Sequence, residues 1–261
     1  MLDSTLLNRP TLAARTHSGR LIAIGSGKGG VGKTWFAVTL AHALSRLGRR
    51  VLLFDGDLGL ANVDIQLGLM PRHDLGAVLA GRVGLSEACQ RAEPGGFDVL
   101  AGRSGTGLLS GLGALASAGL IEALKDLACR YDDVLLDLGA GVEQGVRSMA
   151  AAADLLLVLA TEEPTSLTDA YATLKLHAAD RPGGPARIVV NQCTSPAAGQ
   201  RTYATLARAC QAFLGHTPAL AGLVRRDGRV ADAIRRQTPL LTRHPNSFAG
   251  GDVARIAEAL V

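Results

Sequence analysis

The sequence is poor in the residues that build several common kinds of functional site. Its 261 residues include only four cysteines, Cys89, Cys129, Cys193 and Cys210, and no two of them form a C-x-x-C pair. This spacing excludes the usual zinc and iron–sulfur motifs and favours free thiols, as in a reducing cytoplasm. The six histidines form no H-E-x-x-H or comparable ligand pattern.

Aromatic residues and long apolar runs are also scarce. Aromatics make up 3% of the chain against 48% hydrophobic residues, so we expect an aliphatic core. No run reaches the roughly 20 residues that a membrane-spanning helix needs, and residues 1–20 lack the apolar segment of a signal peptide. The net charge of +4 is too small to indicate a nucleic-acid or membrane partner. We expect a cytoplasmic protein, with a peripheral position at the inner membrane as the alternative.

One glycine-rich stretch carries the strongest functional signal. It fits the pattern G-x-x-x-x-G-K-[ST] and lies between a predicted strand, residues 21–24, and a predicted helix, residues 34–47. Glycines let backbone N–H groups close on phosphate oxygens, and the helix N-terminus favours anions. Lys33 is expected to reach the β- and γ-phosphates, and the Thr34 hydroxyl to hold Mg²⁺. The predicted phosphate-binding residues are Gly27, Lys28, Gly29, Gly30, Val31, Gly32, Lys33 and Thr34.

Predicted strands alternate with predicted helices along the chain. The apolar runs that indicate further strands are residues 51–54, 97–100, 134–136, 155–159, 187–190 and 220–224. This order predicts an α/β fold with a single doubly wound, mostly parallel sheet and helices on both faces. We expect one domain over residues 21–261, preceded by a flexible tail over residues 1–20. Ligands of such sheets bind beyond the carboxyl ends of the strands.

Polar residues follow several of the predicted strands. Asp137 closes an apolar run in the Walker B arrangement, which predicts a Mg²⁺ ligand, with a helix cap as the alternative. The glycine-containing turn 139–141 follows it and is expected to be mobile. Asp55 and Asp57 end another strand, where a solvated turn is the alternative. Asn191 ends a third, where a turn cap is the alternative.

A second lysine in the glycine-rich stretch indicates a particular family. The run Lys28-Gly-Gly-Val-Gly-Lys33-Thr34 resembles the deviant Walker A motif of the MinD/ParA ATPases, and residues 55–64 are similar to the first switch of the MinD group. The resemblance implies bound ATP or ADP with Mg²⁺. It also implies that Lys28 reaches across a dimer interface to the nucleotide of the partner subunit.

The same resemblance assigns roles to four polar residues. It implies that Asp57 orients the attacking water and that Asp55 belongs to the Mg²⁺ shell. It further implies that Asn62 lies in a switch that touches the nucleotide region, and that Asn191 reads the adenine edge. Asp64 is expected to serve loop structure.

A narrower resemblance rests on residues 163–171, Glu-Pro-Thr-Ser-Leu-Thr-Asp-Ala-Tyr. This stretch is similar to the FlhG/FleN (YlxH) branch of flagellar-number regulators, and residues 227–239 and 245–249 support it more weakly. The branch implies a slow, switch-type ATPase that forms an ATP-dependent homodimer and regulates flagellar number or placement through partner proteins. A ParA-like DNA- or cargo-partitioning ATPase and a MinD-like cell-division or positioning ATPase are the alternatives.

Some positions depart from that pattern. The family often has proline at two positions where this chain differs. Glu162 stands at the first, just before Glu163, and Arg225 at the second, after the last predicted strand. The D-Q-A-x-x-L-R motif through which FlhG-type proteins stimulate a GTPase partner is not recognisable in residues 1–20. The apolar stripe of residues 252–260 is short and has one basic residue, so we expect this helix to pack on the body, not on a membrane.

Overall fold

The computed structural model describes residues 19–57, 61–102 and 114–261, and for residues 114–117 it describes the backbone alone. The predicted tail lies outside these residues except for Gly19 and Arg20. Arg20 already belongs to the first strand, so the predicted boundary at residue 21 is late by one residue. Residues 102–113, whose many glycines predict a flexible stretch, lie outside the described residues except for Gly102.

The described residues form one eight-stranded sheet in the order β3-β4-β2-β5-β1-β6-β7-β8. The strands are β1 (Arg20–Ser26), β2 (Val51–Gly56), β3 (Cys89–Ala92), β4 (Phe97–Leu100), β5 (Asp133–Ala140), β6 (Leu155–Ala160), β7 (Ala186–Cys193) and β8 (Ala219–Arg225). All neighbours are parallel except β3 and β4, which are antiparallel. The predicted fold class is confirmed. The edge strand β3 was not predicted, because Gln90 and Arg91 interrupt any apolar run.

Helices cover both faces of the sheet. They are α1 (Lys33–Arg46), α2 (Val63–Leu67), α3 (Leu75–Leu79), α4 (Ala114–Ala128), α5 (Gln144–Ala152), α6 (Pro164–Asp180), α7 (Pro196–Leu214), α8 (Gly228–Arg235), α9 (Leu240–Arg243) and α10 (Phe248–Glu258). In β1, Ile22 and Ile24 pack with α1, α2 and α8–α10, whereas Leu21 and Ala23 pack with α3–α7. Burial on both faces explains why the parallel strands are continuous apolar runs.

The C-terminal helix packs on the body of the domain, as predicted. Val253, Ile256, Ala257 and Leu260 are all buried, and α10 contacts α1 and β8. A side chain at Gly222 of β8 would collide with Ile256. The apolar face of α10 is therefore occupied by the protein itself.

Three strands end later in the chain than the sequence predicts. Asp55, Asp137 and Asn191 were predicted to end their strands. Each lies within its strand instead, because β2, β5 and β7 continue to Gly56, Ala140 and Cys193. Gly139 and Ala140 were expected in a mobile turn but belong to β5, because the strand stays paired with β1 as far as Ser26. Asp64 was expected to serve loop structure but lies in the first turn of α2, which begins at Val63.

Candidate functional site

The glycine-rich stretch joins β1 to α1 as a tightly packed loop. A Cβ at Gly27 would lie 2.3 Å from the carbonyl oxygen of Asp169 in α6, so only glycine fits there. Gly32 has φ +88°, and a Cβ would lie 2.7 Å from Nδ2 of Asn191. Both positions therefore require glycine for reasons of space, and Gly32 requires it for its backbone conformation as well.

The N-terminus of α1 is open to an anion. Gly32 occupies its N-cap position without a side-chain cap, and the first turn has no acidic residue among the described positions. The first N–H groups of a helix lack partners within the helix and carry its positive dipole end. Lys33, the first residue of α1, is buried with 8% of its surface exposed. This arrangement fits a phosphate group.

Two amide side chains from the end of β7 hold carbonyl groups of the loop. Nδ2 of Asn191 donates to the carbonyl oxygen of Val31 at 2.8 Å, and Nε2 of Gln192 donates to that of Gly30 at 3.5 Å. In a trans peptide the C=O and N–H groups point in opposite directions. The N–H groups of Val31 and Gly32 therefore point away from β7. Asn191 was predicted as an adenine reader, which stays a prediction; Gln192 was not predicted.

Asp55 and Asp137 stand side by side on neighbouring strands. They are register partners of β2 and β5, and each is 1% exposed. Burial raises the pKa of Asp137 to about 7, and the negative charge of Asp55 acts in the same direction, while Thr34 and Lys33 oppose it. Burial also raises the pKa of Asp55 to about 6. Two adjacent buried carboxyl groups of this kind favour a bound cation.

Asp55 also holds the segment that follows β2. Its Oδ2 accepts hydrogen bonds from the backbone nitrogens of Asn62 and Val63, each at 2.9 Å, and its Oδ1 accepts one from Asp57 N at 3.2 Å. These bonds tie the start of α2 to the strand end. They bring Asn62 into the site, where its Oδ1 accepts a hydrogen bond from Gln66.

Asp57 lies against the end of β5. A Cβ on Gly139 would lie 3.5 Å from Oδ1 of Asp57. Two residues further on, Gly141 N donates to the carbonyl oxygen of Ser26 at 2.9 Å, at the start of the phosphate loop. Asp57, the predicted water-orienting residue, and the predicted turn 139–141 therefore meet beside the phosphate loop.

The residues fit Mg²⁺ held together with a nucleotide. Both carboxylate oxygens of Asp137 are buried and lack a hydrogen-bonding partner among the described residues. No group of three or more His, Cys, Asp or Glu side chains in the described ranges has the arrangement of an all-protein metal site. Mg²⁺ commonly binds one or two carboxylates, water and substrate phosphates. Thr34, Asp55 and Asp137 remain the residues predicted to form the protein part of such a shell.

Lys28 is paired within its own subunit. Its Nζ lies 2.5 Å from Oε2 of Glu163 and 3.0 Å from Oγ1 of Thr165, both at the start of α6. The hydrogen bond from Lys28 lowers the pKa of Glu163. The role of Lys28 across a dimer interface stays a prediction. To take that role, Lys28 would have to exchange its contacts with Glu163 and Thr165 for the nucleotide of the partner subunit.

Comparison with known proteins agrees with this geometry. Residues 22–240 match the CobQ/CobB/MinD/ParA nucleotide binding domain. The chain belongs to this family. The antiactivator FleN of Pseudomonas aeruginosa is a curated relative of this CobQ/CobB/MinD/ParA protein and is 39% identical over 233 residues. The match covers 89% of this chain and 83% of FleN. The flagellum site-determining protein YlxH of Helicobacter pylori is 27% identical, covering 93% and 82%.

Solved structures show the same family likeness. The septum site-determining protein MinD of Pyrococcus horikoshii, complexed with Mg-ADP, aligns with a TM-score of 0.78 and 25% identity over 93% of this chain and 96% of that one. The MinD of Pyrococcus furiosus aligns with a TM-score of 0.77 and 26% identity, covering 93% and 98%. In the part of the chain that the structure describes, no helix has the length and apolar character to cross a bilayer. The described cysteines are free thiols.

Proposed function

We propose that the protein is a Mg·ATP-dependent ATPase switch that dimerises with ATP and regulates the number or placement of flagella through partner proteins. The phosphate loop with its second lysine, Lys28, supports the switch. The likeness to FleN, called an antiactivator, and to YlxH, called a flagellum site-determining protein, supports the flagellar output.

Each part of the site has a role in this proposal. The N–H groups of the loop and the Lys33 ammonium bind the phosphates, since they offer positive charge around an anion. Asp55, Asp137 and the Thr34 hydroxyl hold the magnesium ion, which neutralises charge on the phosphates when bound. The Asp57 carboxylate accepts a hydrogen bond from the attacking water and so orients it in line with the γ-phosphate.

Lys28 gives the switch its dimer dependence. In a single subunit its ammonium binds Glu163 and Thr165. In the proposed dimer it leaves them for the phosphates of the partner subunit. Hydrolysis then removes the γ-phosphate, which removes one anionic ligand of Lys28 and favours the separate subunits.

The flagellar output is tested in the organism that encodes the protein. We expect replacement of Lys28 by alanine in the chromosome to change the number or position of flagella, counted by electron microscopy, as a full deletion does. A Lys175→Ala strain is the control, because Lys175 is an exposed lysine on α6. Normal flagella in the deletion strain would reject the flagellar role.

A ParA-like role in DNA partitioning is the second candidate. Arg226, Arg229, Arg235 and Arg236 are exposed at and around α8 and could contact phosphates of DNA. Arg225 does not join this surface, because its guanidinium binds Asp252. Binding of DNA only with ATP, with an affinity that falls steeply with salt, would favour this candidate. We expect no such binding.

A further inference from the structure

The carboxylate of Glu162 holds the turn between β7 and α7. Its Oε1 accepts a hydrogen bond from Thr194 N at 2.9 Å, and Oε1 and Oε2 accept from Thr194 Oγ1 at 3.2 and 3.0 Å. Glu162 precedes Glu163, the N-cap of α6, and Thr194 precedes Ser195, the N-cap of α7. One side chain thus joins the start of α6, which packs against the phosphate loop at Gly27, to the start of α7.

The last residues of β7, which lead into the turn held by Glu162, carry both amides that organise the phosphate loop. Asn191 and Gln192 lie three and two residues before Thr194, and they hold the carbonyl groups of Val31 and Gly30. Gln192 has φ +58°, a conformation that side chains other than glycine adopt at a cost. A strand end with such a residue keeps its shape only when its surroundings fix it.

We propose that Glu162 is a positioning residue of the nucleotide site. By fixing the turn at Thr194, it keeps Asn191 and Gln192 on the loop, and these keep the N–H groups of Val31 and Gly32 turned toward the phosphates. The inference rests on the proposed function, because it requires that the loop bind a nucleotide. A proline, which the family often has here, has no carboxylate for Thr194.

The test measures the affinity for Mg·ADP by calorimetry and the kinetics of ATP hydrolysis. We expect Glu162→Ala to raise the Kd for Mg·ADP about fivefold, the typical effect of one lost hydrogen bond. We expect KM for ATP to rise by a similar factor, with kcat within about twofold of wild type. Glu162→Gln retains an acceptor for the Thr194 N–H and should restore most of the affinity.

A double-mutant cycle shows whether the effect passes through Thr194. Thr194→Val removes the hydroxyl and keeps the backbone N–H, so it should weaken binding less than Glu162→Ala. Adding Thr194→Val to Glu162→Ala should cause no further loss, because the contact is already absent. Glu122→Ala is the matched control, since Glu122 is an exposed glutamate that pairs with Lys125 on α4. It should leave the Kd unchanged.

The outcomes separate the inference from the proposed function. A wild-type protein that binds no Mg·ADP would reject the nucleotide site itself. A folded Glu162→Ala protein that binds Mg·ADP like wild type would reject the positioning role alone. If Glu162→Ala does not fold, wild-type affinity in Thr194→Val together with full binding in a Glu162→Pro variant would reject it as well.

Discussion

Nζ of Lys28 lies 2.5 Å from Oε2 of Glu163, so the lysine that the family resemblance assigns to a partner's nucleotide is bound inside its own subunit. The side chains keep 38% and 65% of their surfaces exposed. Ion pairs at such exposed positions are weak, because solvent screens them and two long side chains must be ordered. The contact with Glu163 can therefore hold Lys28 ready without preventing its exchange for a phosphate.

Gly27→Ala should disrupt the phosphate loop. The new Cβ would lie 2.3 Å from the carbonyl oxygen of Asp169, so the loop or α6 must move. We expect at least a tenfold loss of affinity for Mg·ADP in calorimetry, with the overall fold retained in circular dichroism. Gly119→Ala is the control, since Gly119 lies on α4, outside the predicted phosphate-binding residues, and no atom lies within 4 Å of its added Cβ. Equal affinities of the two variants would show that the packing of the loop against α6 is unimportant.

Asp57→Ala should stop hydrolysis and spare binding. The Asp57 side chain lies against the end of β5. The hydrogen bond to Asp55 comes from the backbone N–H of Asp57, which the substitution retains. We expect ATP binding within a few-fold of wild type and ATP turnover reduced by about 10² or more, as for loss of a group that orients the nucleophile. Phosphate release measures turnover. Asp64→Ala serves as control, and normal turnover in Asp57→Ala would remove the catalytic assignment.

Asp137 should make the metal-free protein less stable as the pH rises. Burial raises its pKa from 3.8 to about 7, so the folded chain binds this proton more tightly than the unfolded chain does. The free energy of unfolding therefore falls between about pH 4 and pH 7, by a few kcal/mol at most, at about 1.4 kcal/mol per pKa unit.

Denaturant unfolding at a series of pH values checks this dependence. In Asp137→Asn the decline should be much smaller, because the amide does not ionise. In that variant Asp55, whose pKa is raised to about 6, should still make the free energy of unfolding fall between about pH 4 and pH 6. If the free energy of unfolding of Asp137→Asn falls with pH as steeply as that of wild type, the raised pKa of Asp137 is not the cause.

The C-terminal helix should contribute to the stability of the domain. Ile256 is 3% exposed and packs over Gly222. We expect Ile256→Ala to lower the free energy of unfolding by about 2–4 kcal/mol, since it leaves a cavity in the core. Glu258→Ala, on the exposed face of the same helix, should change it by less than about 0.5 kcal/mol. A negligible effect of Ile256→Ala would mean that α10 detaches readily, as a membrane-binding helix does.

The sequence predicts those parts of the site whose chemistry demands fixed residue types in a row. The glycines, Lys33 and Thr34 are recognisable because a phosphate needs N–H groups, a cation and a helix start within a few residues. The fold class is also predictable, because strands buried on both faces are uninterrupted apolar runs. The same reasoning placed Asp55 and Asp137 at the carboxyl ends of strands, where ligands of such sheets bind.

Other features depend on contacts between distant residues. The ends of β5 and β7 extend beyond their apolar runs because neighbouring strands continue the ladder, which no local pattern reports. Gln192 reaches a loop residue 162 positions away, and Lys28 reaches Glu163 over 135 positions. In the sequence, Gln192 is one polar residue beside Asn191. Its role appears only when β7 is set next to the phosphate loop.

Light scattering coupled to size exclusion tests the ATP-dependent dimer most directly. Asp57→Ala should elute as a monomer with Mg·ADP and at twice that mass with Mg·ATP, because the trapped nucleotide retains its γ-phosphate. Adding Lys28→Ala should return it to a monomer with ATP while ATP binding persists, whereas adding Lys175→Ala should not. A dimer that forms equally with ADP, or that survives the loss of Lys28, would contradict the account of this protein as a lysine-dependent ATP switch.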